Sequence, residues 1–340
     1  MQSLRPLTFV CSAFRRSFAS AFAACFLLAL PGCGLFQPSA AELQEMGDAQ
    51  APQLVAEFGG GLPNRSVVDY VTARGQEVAS VSGAAGQVWT FHVLNSDVVN
   101  AFALPGGHIF ITKGMMVRLT DEAQLVGVLG HEVGHVMAEH TAERLDKVMT
   151  AQFGLGVAAA ALGRGELEFG VDSGGAVNED AVYSDLALMA AEVGSEVALL
   201  AYSREDEIEA DKLGVQYMAT LGYNPTGQIG VMRVLASLGA GGSDPEFLKT
   251  HPNPETRIDE LNAFIAEKFP NYTDPLAFRF NQERYQQMAL QPLGVGASAG
   301  MIEPDAVPSL ALGEFVGASA WRNAHASGHA HHHAHARHAR

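Results

Sequence analysis

The stretch LVGVLGHEVGHVMAEHTAERL, residues 125–145, limits what this chain can be more than any other. Its apolar spacing is that of a buried helix. Yet it holds two histidines and a glutamate that burial alone does not call for. His131 and His135 are four residues apart, so on a helix they stand one above the other on one face, and both imidazoles can reach one metal ion. Glu132 is turned about 100° around the helix from His131. It therefore sits beside the metal, where a general base must stand to take a proton from an activated water. Gly130 and Gly134 each cost up to about 1 kcal/mol of helix propensity against alanine. Close packing against a neighbouring element is expected to offset that cost.

A catalytic zinc takes three protein ligands and keeps one position open. The third can come from SREDEIEAD, residues 203–211, where Glu207 and Asp211 are again four apart. On one helix face, Glu207 can bind the metal while Asp211 accepts a hydrogen bond from a ligand histidine and fixes its tautomer. The same five acids in seven residues also fit an ordinary solvated helix face, so spacing alone leaves both readings open.

The start of the chain is a targeting segment rather than fold. Residues 1–32 hold three arginines and no acid, and end in a short apolar run, the pattern of a secretory signal too brief to act as a stable span. Leu30-Pro31-Gly32-Cys33 resembles a bacterial lipobox, which makes Cys33 the expected lipidation site. Gly34 after it, rather than aspartate, points to the periplasmic face of the outer membrane in a Gram-negative cell. The three cysteines are Cys11, Cys25 and Cys33, so cleavage before Cys33 leaves one. The domain must then fold on its core or on a metal, not on disulfides. A net charge of −16 speaks against nucleic acid as a partner.

Four regions are expected: a signal peptide over 1–32, a polar tether over 33–50, a folded domain over 51–290, and a low-complexity, disordered tail over 291–340. Within the domain, residues 64–81 carry helical spacing. QVWTFHVLNS reads as a strand, and NAFALPGGHIFITKG as two short strands joined by a Pro-Gly-Gly turn. Thr120 or Asp121 can cap the helix of residues 125–145. Further helices are expected in residues 203–222, 225–239 and 251–269. Residues 153–180, apolar and then rich in glycine, could form a lid. The tail carries seven of the thirteen histidines between His325 and His338. It could bind an extra transition metal, or be solvated with no such role.

HEVGH, SREDEIEAD, HPNPETRI and, upstream, NAFALPGGHIFITKG, in this order, resemble the M48 family of zinc metallopeptidases, most closely its bacterial periplasmic lipoprotein members active in envelope quality control. The resemblance implies an α+β, zincin-type fold, mostly helical with a small sheet upstream of the HExxH helix. It implies one catalytic Zn2+ held by His131, His135 and Glu207, Glu132 as the base and Asp211 behind the ligands. His251 and Arg257 would face the cleft, with His251 either stabilising the oxyanion or occupying the fourth zinc position in a resting enzyme. Asn100, Ala101, Phe102, Ala103 and Leu104 would form the edge on which an extended substrate pairs. His108 departs from the family pattern, which carries an aromatic residue there. The expected function is a zinc endopeptidase acting on misfolded or unassembled envelope proteins. The alternative is a chaperone-like factor that holds clients and whose metal site is regulatory or self-inhibited.

Overall fold

The computed structural model describes residues 38–84, 86–147, 201–240, 245–252 and 254–295. The expected signal segment with Cys33, the candidate lid at 153–180 and the histidine-rich ending lie outside the described residues.

Two helices open the chain. Helix α1 spans Ala40–Glu57 and α2 spans Arg65–Val81. The tether expected over 33–50 is corrected from Ala40 onward. Ser39 accepts from the Glu42 backbone and Glu42 reaches back to Ser39, a reciprocal cap that starts α1. Asn64 caps α2 through Val67.

Three strands follow: β1, Thr90–Leu94; β2, Ala101–Leu104; and β3, His108–Thr112. β3 lies in the middle, parallel to β1 and antiparallel to β2. The β2–β3 connection is the short turn Pro105–Gly107, in which Gly106 has φ 79°, a left-handed value that glycine adopts at no steric cost. Side chains alternate between two apolar layers. Ala101, Ala103, Ile109, Ile111 and Val93 join the main core, whereas Phe102, Leu104, Phe110 and Leu94 pack under Ala51 and Leu54 of α1. A sheet covered on both faces reads as continuous apolar sequence, as AFAL and IFIT do.

The remaining elements are α3, Lys113–Met116; α4, Glu122–Met137; α5, Arg204–Thr220; α6, Thr226–Ala240; α7, Glu246–Thr250; α8, Pro254–Lys268; and α9, Gln282–Tyr285, which continues into one π turn, Gln286–Leu290. Of the two candidate caps for α4, Asp121 is the one used, accepting from the Gln124 amide at 2.9 Å.

Helix α4 runs through the middle of the core, buried along nearly its whole length. Its glycines explain how it packs. A Cβ at Gly130 would stand 3.1 Å from the Gly214 backbone of α5, and one at Gly134 would stand 2.9 Å from the Ala210 carbonyl. The propensity cost of these glycines is thus offset by a backbone-to-backbone approach of α4 and α5. That approach sets Glu207 and Asp211 directly against His131 and His135. No helix among the described residues is long and apolar enough to cross a membrane.

Candidate metal centre

Helix α4 supplies His131, Glu132 and His135; α5 supplies Glu207 and Asp211; His251 ends α7; Arg257 lies in α8. All seven are essentially inaccessible to solvent. One ligand atom from each of His131, His135, Glu207 and His251 can be chosen so that all lie within 4.8 Å of one another. Nε2 of His131 and Nε2 of His135 are 3.0 Å apart. Nε2 of His135 lies 3.3 Å from Oε1 of Glu207, and Nδ1 of His251 lies 2.7 Å from the same oxygen.

The donor set fits a divalent cation. Nδ1 of His131 is 2.9 Å from Oδ1 of Asp211. A carboxylate only accepts, so Nδ1 carries the proton and Nε2 turns its lone pair to the centre. Asp211 is held in turn by Nε and Nη2 of Arg257, both at 2.7 Å, and by the Gln228 amide at 2.9 Å. Arg257 also forms a close ion pair with Oε2 of Glu207.

Charges follow from these contacts. Burial opposes ionisation of Glu207, but His251, Arg257 and His131 outweigh it and hold the carboxyl well below its ordinary range. Burial likewise opposes a charged His131, yet Asp211 and Glu207 pull its pKa up. His135 is driven well down, by burial first and then by His131. Two anionic carboxylates and converging nitrogen lone pairs therefore ask for positive charge, which a cation supplies better than a shared proton.

Glu132 differs from the other acids. Both its carboxylate oxygens are buried without a hydrogen-bond partner, and burial raises its pKa. His251 approaches it, Nε2 to Oε1 at 3.7 Å, and that Nε2 is also unpartnered. Phe247 stacks on the His251 ring, centroids 4.2 Å apart.

Arg257 does not line an open cleft as expected; it is committed to Asp211 and Glu207. Asn100 and the four residues of β2 lie at one edge of the sheet, with side chains buried. His108 sits on the central strand beneath α1, 3.0 Å from Asp48.

Three neighbours of the site carried no signal in the sequence. His140 stands 3.0 Å from His135, Nδ1 to Nδ1. Tyr202 stacks on the His135 ring at 3.7 Å, and Arg144 lies 3.9 Å over Tyr202. His140 falls five residues after His135, past the end of α4, where helical spacing no longer predicts a shared face.

A buried helix thus turns two imidazoles towards a carboxylate from the helix beside it, with an acid free of hydrogen bonds alongside, an arrangement suited to a hydrolytic metal centre. The model of peptidase family M48 matches residues 67–265, and the chain belongs to that family. It is 29% identical over 199 residues to the mitochondrial metalloendopeptidase OMA1 of Schizosaccharomyces pombe, covering 58% of this chain and 53% of that protein. To OMA1 of Arabidopsis thaliana it is 33% identical over 179 residues, 53% of this chain and 32% of the relative. To the beta-barrel assembly-enhancing protease of Escherichia coli it is 25% identical over 221 residues, 64% of this chain and 42% of the relative. The matched region thus spans about half or less of each of these relatives.

Proposed function

We propose that the protein is a zinc-dependent endopeptidase that cleaves misfolded or unassembled proteins of a bacterial envelope, anchored there through a lipid on Cys33. The convergence of His131, His135 and Glu207 beside a buried Glu132 that makes no hydrogen bond carries this reading. His131, His135 and Glu207 would hold the ion. When bound, zinc supplies Lewis-acid polarisation of a carbonyl and an acidified water.

The other steps belong to the chain's own groups. Glu132, with its pKa raised by burial and neither oxygen in a hydrogen bond, takes the proton from the attacking water and returns it to the leaving amine. His251, which meets Glu207 at 2.7 Å and stacks on Phe247, would either serve as a further ligand of the ion in a resting enzyme or stabilise the developing oxyanion. Arg257 acts at one remove, fixing Asp211 and Glu207. Asn100, Ala101, Phe102, Ala103 and Leu104 pair with an extended substrate backbone, so unfolded chains are preferred over particular sequences. The name of the Escherichia coli relative supports β-barrel assembly as the setting.

Glu132→Gln tests this reading. It removes the base and keeps the shape, so cleavage of a denatured envelope protein should fall by about 100- to 10,000-fold, with zinc content unchanged. Undiminished cleavage removes Glu132 from the mechanism. Protection of the same protein from aggregation by both forms, without cleavage by either, would favour the chaperone-like reading.

A further inference from the structure

We propose that His140 is the positioning residue for the metal ligand His135, and that a chain of ring nitrogens running from His135 through His140 to a surface carboxylate fixes which nitrogen of His135 faces the metal. The proposal rests on the metal site described above.

The geometry allows one consistent assignment of protons. If Nε2 of His135 offers its lone pair to the ion, Nδ1 must carry the proton. That proton points at Nδ1 of His140, 3.0 Å away, which must then accept. His140 consequently bears its own proton on Nε2. This nitrogen faces carboxylates: Oε2 of Glu209 at 3.4 Å and Oδ1 of Asp206 at 3.8 Å. Every donor along the chain meets an acceptor. Reversing either ring would aim a proton at the ion, or leave a lone pair facing a carboxylate.

The backbone is built for this placement. Helix α4 ends after Met137, and Glu139 takes a left-handed φ of 61°, rare outside glycine, asparagine and aspartate. That single residue turns the chain and starts the helical residues 140–147. His140 is thereby swung under His135, where it is only 5% exposed.

The two histidine ligands are thus held differently. His131 donates directly to Asp211, a buried carboxylate neutralised by Arg257. His135 donates to an imidazole whose backing carboxylate, Glu209, has its side chain 63% exposed. Outer hydrogen-bond partners of this type typically change metal affinity by about 10- to 100-fold when removed.

The test is zinc affinity of the full chain at neutral pH, measured by competition with a chromogenic chelator. His140→Leu, which cannot accept, should weaken zinc binding by about 10- to 100-fold. His140→Asn, whose amide oxygen can occupy the place of Nδ1, should stay within about threefold of wild type. The unfolding temperature of the metal-free forms separates positioning from packing. If His140→Leu lowers that temperature but binds zinc like wild type, the proposal is overturned. Should His140→Leu fail to fold, long-range proton–nitrogen spectra of zinc-loaded wild type decide instead. The proposal requires a bare Nδ1 and a protonated Nε2 on His140, and a proton on Nδ1 of His140 overturns it. Wild-type protein that binds no zinc would sink the metal-site reading as well; unaltered affinity in His140→Leu sinks this one alone.

Discussion

Two histidine clusters lie among the described residues, and one of them suits a metal better than the other. At the first, four ligand groups converge. At the second, His92 and His108 stack with centroids 5.5 Å apart, and Nε2 of His92 meets Nδ1 of His108 at 3.2 Å. Nε2 of His108 then meets Asp48, whose side chain is 62% exposed. The rings of the first cluster are buried, as is His108, while His92 is half-buried; burial pushes imidazoles down in both. They differ in where the carboxylates stand. Glu207 and Asp211 are buried with the rings and kept anionic by Arg257 and the histidines. That fixes negative charge where no solvent can neutralise it. In the second cluster the single acid is at the surface and the nitrogens run in series, so no lone pairs converge. Histidine density is a poor guide to a metal site; buried, paired carboxylate is the better one.

The sharpest way to break this contrast is Glu207→Gln, which keeps the shape and removes the charge. Zinc affinity should fall by more than about 100-fold, beyond the effect usual for outer partners, in a chelator competition assay. Wild-type affinity in that variant would mean the carboxylate is not what distinguishes the clusters. Next in size is Arg257→Met. Leaving Asp211 and Glu207 without their guanidinium partner in the interior should cost up to about 3–5 kcal/mol of stability, read as a shift in urea midpoint; a loss under about 1 kcal/mol would show that water or other groups replace the guanidinium.

The smallest effect belongs to His92→Phe, which should leave zinc affinity untouched. Its pKa is lowered from 6.5 to about 4, by burial first and then by His108. Between those values the unfolded chain binds a proton that the folded chain refuses. Stability should therefore decline as pH falls from about 6.5 to about 4, with a slope of up to about 1.4 kcal/mol per pH unit from this one group. Metal-free His92→Phe should lose that share of the slope. An unchanged profile would show that His92 takes up its proton in the folded protein.

Much of the site could be read before any coordinates. The shared face of His131 and His135, with Glu132 beside it, was legible because one helix fixes their directions; for Glu207 and Asp211 spacing left a solvated face equally open, and the family resemblance favoured the site. His140 was not, because its position depends on one left-handed residue, Glu139, which no periodicity announces. Tyr202 touches His135 only through the tertiary fold. Helix α1 was missed because its apolar positions form no clear stripe and Pro52 lies inside it. The signal that could have found it was local: Ser39 followed three residues later by Glu42. Arg257 could be placed near the site from HPNPETR, but whether it faced substrate or carboxylates depended on the crossing of α5 and α8.

The glycine seam between α4 and α5 carries one more implication. With only hydrogens separating Gly130 from Gly214, nothing at that contact can yield by changing rotamer, so the spacing of the two helices is set by backbone against backbone. Access to the centre must then be governed by what can swivel around it, His251 foremost, rather than by the two helices drawing apart.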